Sequence, residues 1–185
     1  LKTPEDVEYF LRVPALASFF KGGKGLDARE SARLATLTQT LAPGGNADII
    51  QVAGAVPGEN AQDVARALAE ALAENPRGKT LLVDLAAAEG PGFLDVVLGE
   101  VRIEQAVTEK GRLAVLTAGA RKDIPVHLWS SDRMAEVLQT LRRDFTAIVF
   151  HTAPVLAAND AISLARMTDG AILVLKADAT RREVA

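Results

Sequence analysis

Short, unbroken apolar runs alternate along this chain with longer segments in which apolar residues recur every three or four positions. The short runs are typical of buried strands, and the longer spacing is typical of amphipathic helices. We expect strands over 49–53, 79–84, 113–116, 147–150 and 171–175. Because these strands lack apolar–polar alternation and helices separate them, the pattern predicts an α/β fold with a mostly parallel sheet covered on both faces.

Two of the predicted helices have a clear apolar stripe. One runs from about 60 to 74 with Val64, Leu68 and Leu72 on one face, and the other covers 131–143. The remaining elements are a short acidic helix over 4–10, an extended piece over 13–17, a helix over 27–41 with Asp27 as its N-cap, pieces over 93–98 and 103–107, and a helix over 160–167. We therefore expect a leader over 1–26, ending in a glycine-rich connector, and one domain over 27–185. Its abrupt ends suggest a piece of a longer protein.

Composition narrows the class of protein. The chain has 185 residues, 49% of them apolar and 24% charged, which suits one domain with a substantial core. A net charge of −3 gives no broad basic surface, so nucleic acid is not an expected partner. The lack of cysteine excludes disulfides, thiolate nucleophiles and cysteine-bound zinc. No apolar run approaches the about 20 residues that a membrane-spanning helix needs.

The loop after the first predicted strand is the expected place for chemistry, because parallel sheets bind ligands at the carboxyl ends of their strands. It reads Gly54-Ala55-Val56-Pro57-Gly58-Glu59-Asn60-Ala61-Gln62. A working phosphate-binding loop, G-x-x-x-x-G-K-[ST], uses its second glycine to let N–H groups surround the phosphates, its lysine to neutralise them and its hydroxyl to bind Mg²⁺. Here Asn60, Ala61 and Gln62 occupy those three positions, so all three functional groups are missing.

Asp63 adds a negative charge in the first helical turn, where it suits the helix dipole but repels a polyphosphate. Two interpretations of this segment follow. In one, Asn60 caps the helix and Asp63 is the acid of a capping box. In the other, the loop keeps a weak anion site.

Several segments of the chain carry a resemblance to a known family. They are Thr3–Val7 and Val13–Leu16 of the leader, Glu30-x-x-Arg33-x-x-Thr36 on a helix, Leu116–Gly119, Ser131–Phe145, Thr152–Leu156 and Asp160–Ala161. These segments, and the order of elements, resemble the cytoplasmic kinase domain of the bacterial tyrosine kinases, the Wzc/CapB-like polysaccharide co-polymerase family, which is related to the MinD/ParA ATPases. The resemblance implies a P-loop fold, attachment to the cytoplasmic face of the inner membrane, and an oligomerisation role for Glu30 and Arg33. An internal ion pair between Glu30 and Arg33 is the alternative.

The chain departs from the family at each motif of the active site. Of the family's Asp-x-Asp-x-Arg motif, only Asp84 remains, since Ala86 and Ala88 follow it. His151 stands where the family has an aspartate that helps to hold Mg²⁺, and imidazole is a poor substitute for a hard oxygen ligand. The family's C-terminal tyrosine cluster is also missing, because Tyr9 is the single tyrosine.

Several other residues have a structural and a functional interpretation. Lys21–Gly25 is similar to a deviant Walker loop, but Leu26 and Asp27 stand where that loop needs lysine and threonine. Asp84 and His151 form either an acid–base pair or a carboxylate and a histidine with structural hydrogen bonds at strand ends. For His127 and Trp129, which precede a helix, we favour local packing.

We therefore expect a catalytically inactive tyrosine-kinase-like domain, with a vestigial nucleotide site at 54–62, Asp84 and His151. It has no expected cofactor or metal, and it would act as a scaffold or regulator of polysaccharide polymerisation or export. Its expected partners are the co-polymerase or export machinery and further copies of itself. The alternatives are a divergent kinase or ATPase completed by a partner, and a MinD/ParA-like positioning protein.

Overall fold

The protein folds around one six-stranded sheet. The computed structural model describes residues 2–18, 28–41, 48–76, 78–120, 125–157 and 159–177. The strands are β1 (Asp48–Gly54), β2 (Thr80–Asp84), β3 (Thr108–Lys110), β4 (Leu113–Thr117), β5 (Ala147–His151) and β6 (Gly170–Val174). Their order is β3-β4-β2-β5-β1-β6, and every neighbouring pair is parallel except β3 and β4. The predicted α/β fold with a mostly parallel sheet is therefore confirmed.

Helices lie on both faces of the sheet. They are α1 (Pro4–Leu11), α2 (Ala28–Leu41), α3 (Ala61–Ala73), α4 (Phe93–Val97), α5 (Ile103–Ala106), α6 (Val126–Trp129), α7 (Asp132–Asp144) and α8 (Asp160–Ala165). On one face, the predicted stripe of α3 packs with α2 against Val52 and Leu82 of the sheet. On the other, α4, α7 and α8 pack around Phe150, whose ring meets Phe93 edge to face at 5.4 Å.

The central strands β1, β2 and β5 are buried along nearly their whole length, as their apolar runs predict. Every residue of β2 is buried, and in β1 only Asp48 is partly exposed. β6, at the margin of the sheet, instead alternates between half-buried and exposed positions. Because β1, β2 and β5 are covered on both faces, the polar side chains at their carboxyl ends lie in a largely dehydrated environment.

The leader forms a helix that packs little against the domain. Thr3 caps α1, accepting the N–H of Asp6 on its side chain, and Asp6 accepts the N–H of Thr3 in return. No residue of α1 is buried, and Leu16 after it packs against the α2–α3 core. The predicted extended piece over 13–17 forms no strand. The connector at 21–25 and the predicted N-cap Asp27 lie outside the described residues.

Three elements differ from the sequence prediction by more than one residue at either end. β3 was not expected, because its Thr-Glu-Lys sequence has no apolar signal; a two-residue turn with Gly111 at φ +65° folds it back onto β4. The four-residue helix α6 was also missed, and α8 ends at Ala165, before the predicted 167. The packing role expected for His127 and Trp129 is confirmed for Trp129, since its ring is buried and its Nε1 donates to Asp160 Oδ1 at 3.2 Å. It is wrong for His127, which is exposed.

Candidate functional site

Strand register places Asp84 beside His151 at the carboxyl edge of the sheet. The two residues end β2 and β5 and are Cα partners in the parallel ladder. Both project toward α3, since Leu82 and Val149, two residues earlier on the same strands, pack in the α2–α3 core. The His151 Nδ1 lies 2.8 Å from Asp84 Oδ1, and the two residues are only 7% and 5% exposed. The structure therefore brings the predicted pair together in a buried contact.

Two further donors complete the surroundings of the Asp84 carboxylate. Gln62, in the first turn of α3, donates its side-chain amide to Oδ2 at 2.8 Å, and the Ala86 N–H donates to Oδ1 at 3.1 Å. Burial acts to raise the pKa of Asp84, but the hydrogen bonds from His151, Gln62 and Ala86 outweigh it and hold that pKa below its usual value. Both oxygens of an ionised carboxylate are thus engaged by the protein itself.

A second carboxylate, that of Glu59, closes the loop after β1. Its Oε2 accepts the N–H of Val56 at 3.0 Å, and its Oε1 accepts the main-chain N–H of Lys176, just after β6, at 3.2 Å. Glu59 is only 6% exposed, and a Cβ at Gly54 would lie 3.0 Å from its Oε2. The loop is therefore packed around a negative charge of its own chain. The sequence analysis missed Glu59 because the phosphate-loop pattern allows any residue there; an acid between Gly58 and Asn60 was the available signal.

The helix-capping interpretation of Asn60 is wrong for its side chain. Asn60 has φ 58° and ψ 31°, in the left-handed region, and its side chain makes no capping hydrogen bond to α3. Its carbonyl instead accepts the N–H groups of Asp63 and Val64. Asparagine is one of the few residues other than glycine that adopt this conformation readily. The backbone at Asn60 thus takes a left-handed turn that glycine also makes readily. Unlike glycine, Asn60 places a side chain at this point of the loop.

The residues at this edge do not fit a magnesium–nucleotide complex. Ala61 brings no charge where a lysine would neutralise the phosphates, and one such cation at about 4 Å contributes roughly 4 kcal/mol at an effective dielectric near 20. Asp84 and Glu59 add negative charge, and His151 offers nitrogen where Mg²⁺ prefers oxygen. Within the described ranges, no group of three or more histidine and acidic side chains is placed to hold a metal ion.

The other predicted site residues are more exposed or lie elsewhere. Pro57 and Gly58 sit at the exposed tip of the loop, where Gly58 has φ +89°. Glu30 and Arg33 lie on α2, where Glu30 is half-buried and Arg33 is exposed. They are therefore on a helix that flanks the sheet, not at its carboxyl edge. In the described part of the chain, no helix is long and apolar enough to cross a membrane.

The chain is similar in sequence to bacterial tyrosine kinases. No protein-family model matches the chain. Tyrosine-protein kinase YwqD of Bacillus subtilis is 30% identical over 149 residues, which are 74% of this chain and 62% of YwqD. The putative tyrosine-protein kinase EpsB of Ralstonia nicotianae is 28% identical over 142 residues, 70% of this chain and 19% of EpsB. The chain thus spans less than two thirds of either protein.

Solved structures of bacterial tyrosine kinase domains superpose on this chain. The kinase domain of VpsO is 31% identical and superposes with a TM-score of 0.71, covering 83% of this chain and 79% of that one. The kinase domain of Escherichia coli ETK, 19% identical, has a TM-score of 0.83 over 98% of this chain and 84% of its own. A plasmid partition protein of Borrelia burgdorferi, also 19% identical, has a TM-score of 0.54, covering 69% of this chain and 65% of that one.

The sheet order and these likenesses define the class as an α/β domain with the P-loop fold, which bacterial tyrosine kinase domains and a plasmid partition protein also have. Within that class, the chain belongs to the bacterial tyrosine kinase family, as its resemblance to that family predicts.

Proposed function

We propose that this domain is a catalytically inactive member of the bacterial tyrosine kinase family that acts as a scaffold or regulator. The observation that carries the proposal is the carboxylate of Asp84, whose two oxygens accept hydrogen bonds from His151, Gln62 and the Ala86 N–H. In a working kinase, an acidic side chain at this edge of the sheet helps to hold the metal ion that is bound to the nucleotide phosphates. Here the same group links two strands and a helix, which favours a structural use of the site.

Phosphoryl transfer needs positive charge around the transferred group, supplied by a metal ion and by cationic side chains. The vestigial site proposed here comprises Gly54, Pro57, Gly58, Asn60, Ala61, Gln62, Asp84 and His151. These residues offer no cationic side chain at the lysine position and an imidazole at a metal-ligand position. The charge requirement therefore supports an inactive domain.

The polysaccharide part of the proposal rests on the resemblance to the Wzc/CapB-like family. We propose on this basis that the domain lies at the cytoplasmic face of the inner membrane, beside polysaccharide co-polymerase or export machinery. Residues 1–26 would be a leader near the membrane, and 27–185 the kinase-like domain. Self-association would involve Glu30 and Arg33 on α2, whose exposed Arg33 is accessible to a neighbour.

Calorimetric titration with Mg·ATP and Mg·ADP tests the proposal. We expect no binding at millimolar nucleotide, because the lysine, the hydroxyl and two acidic ligand positions of a working site are replaced. A P-loop protein with an intact loop, titrated in the same buffer, is the positive control. Magnesium-dependent binding with a dissociation constant in the low micromolar range would overturn the proposal.

A second candidate function is a divergent kinase completed by a partner, and the names of the curated relatives favour it. In that case a cation from another protein would replace the missing lysine. Titrations repeated in the presence of the co-polymerase separate the two functions, since binding that appears only with the partner supports the divergent kinase. A MinD/ParA-like positioning role has only the shared fold in its favour.

A further inference from the structure

The leader helix presents the single tyrosine of the chain to solvent. Tyr9 is 79% exposed, more than any other large apolar or aromatic residue that the structure describes. Its ring meets Phe10 edge to face, with centroids 5.0 Å apart. Because α1 buries none of its residues, the Tyr9 hydroxyl can enter the cleft of another protein without disturbing the core.

Acidic residues surround Tyr9 on the same helix. Glu5 and Asp6 lie four and three positions before it, and Glu8 is its neighbour. A negatively charged segment is attracted to the positive field of an active site that handles ATP phosphates. An isolated helix of eight residues is also marginal, so α1 can open and present Tyr9 in an extended conformation at small cost.

We propose that the hydroxyl of Tyr9 accepts a phosphoryl group from ATP, transferred by a catalytically intact protein-tyrosine kinase acting in trans. In this reaction the phenolic oxygen forms a bond to the γ-phosphorus of ATP and the bond from that phosphorus to the β–γ bridging oxygen breaks. ADP leaves, and the phenolic proton passes to the base of that kinase. The proposal rests on the proposed function in one respect, since it takes the phosphoryl donor site to be in another molecule.

The modification would open α1. A phosphotyrosine carries a charge of about −1.5 to −2 at neutral pH, and here it would lie in the last turn, at the negative end of the helix dipole. That turn contains no basic residue. Glu5, Asp6 and Glu8 would repel the phosphate. In the described part of the leader, Arg12, the helix C-cap, is the one cation within a turn of Tyr9 in sequence. Three carboxylates and the dipole oppose a single arginine, so the balance favours unfolding of α1.

Incubation of the full chain with an active bacterial tyrosine kinase and Mg·ATP, followed by peptide mass spectrometry, tests the acceptor. We expect one phosphate, on Tyr9, and none on Tyr9→Phe. The matched variant Tyr9→Phe/Leu156→Tyr places a tyrosine at a loop position that is 61% exposed but has no run of acids before it. We expect its phosphorylation to be at least tenfold slower. Unmodified wild type, in a reaction where the kinase phosphorylates a glutamate–tyrosine copolymer, would overturn the proposal, and equal rates would overturn the role of the acids.

Hydrogen exchange tests the effect on α1. The N–H groups of Val7 and Arg12 bond to the carbonyls of Thr3 and Glu8 in the unmodified helix. We expect both to exchange at least threefold faster after phosphorylation, and unchanged or slower exchange would overturn the opening of α1. An arm with Mg·ATP and no added kinase separates the two proposals. Phosphate appearing there would overturn the inactive domain, whereas its absence in both arms would overturn Tyr9 as an acceptor only.

Discussion

Asp84 is the residue on which most of the site depends, and its neighbours differ in how far they were predictable. The nearness of Asp84 to His151 follows from sequence, because both end apolar runs that form parallel strands. Its bond to Gln62 does not, since the loop pattern identifies Gln62 only as a missing hydroxyl. Glu59 was missed for the same reason. Sequence patterns locate the edge of the sheet, but the choice among hydrogen-bond partners depends on distances that the pattern does not contain.

Asp84→Asn should lower the free energy of unfolding by about 1–3 kcal/mol at pH 7. Its NH2 group would face either the amide of Gln62 or the donors His151 and Ala86, depending on which oxygen it replaces. The pKa of Asp84 is lowered in the folded protein, so its ionised form favours folding. That stability is complete above the ordinary value of 3.8 and is lost as the pH falls through the lower folded pKa. The difference between wild type and variant should therefore shrink below about pH 4.

Urea denaturation at pH 7 and at several values below pH 4 measures this difference. Glu70→Gln, an exposed carboxylate on α3, is the control and should change stability little at any of these pH values. An Asp84→Asn variant as stable as wild type at pH 7 would contradict the role given to the three hydrogen bonds.

At the scale of elements, α3 and the loop before it illustrate what periodicity can predict. The buried face of α3 was predicted from Val64, Leu68 and Leu72, and all three are in the core. The conformation of Asn60 was not, because one residue in the left-handed region leaves no trace in hydrophobic spacing. β3 was missed for a similar reason: it pairs through its backbone while its side chains are exposed.

Restoring the loop with Asn60→Gly, Ala61→Lys and Gln62→Thr should recover weak phosphate binding at most, and no turnover. Ala86 and His151 would still occupy two positions where the resemblance to the family implies acidic metal ligands. Phosphoryl transfer depends on the metal for charge neutralisation. Calorimetry with Mg·ATP and a phosphate-release assay measure the two activities.

The control for this experiment is the same triple variant with methionine at position 61, which matches the lysine in length but not in charge. If the charge of the lysine is responsible for weak phosphate binding, the lysine variant should bind and the methionine variant should not. Steady hydrolysis by the lysine variant several-fold above the methionine variant would mean that the metal ligands have been assigned to the wrong residues.

For the whole molecule, the framework was far more predictable than the function. The two apolar cores and the strand positions follow from apolar spacing along the chain. The family follows from the resemblance of segments such as Ser131–Phe145, and the named relatives agree with it. A partner surface depends instead on a few exposed residues such as Arg33. In the sequence, such a residue cannot be told apart from a charged residue on any solvent-exposed helix. The role of such a surface therefore has to be tested by mutating it and measuring function in cells.

If the domain works by contact, Arg33→Glu should reduce assembly and surface polysaccharide, with or without Glu30→Arg. An association interface is sensitive to a reversed charge, whereas a carboxylate not used in catalysis is not. Asp84→Asn should leave output near wild type as long as circular dichroism shows a folded domain. A complementation assay that measures surface polysaccharide provides the test.

Arg29→Glu, an exposed arginine one turn earlier on α2, is the matched control for a charge change on that helix. It should leave output near wild type. A folded Asp84→Asn domain that abolishes output, together with a silent Arg33→Glu, would contradict the scaffold role and favour chemistry at the carboxyl edge of the sheet.

The Glu59 carboxylate bridges the loop after β1 and the end of β6, and this contact bears on how the domain responds to nucleotide in the cell. An ATPase changes its stability with the nucleotide it binds, since a ligand of the folded state adds free energy that depends on ligand concentration. If the domain binds no nucleotide, as we propose, a loop held by its own glutamate would not respond to nucleotide concentration. In an assembly whose other members cycle with the ratio of ATP to ADP, such a domain would keep one shape throughout the cycle, independent of the energy charge of the cell.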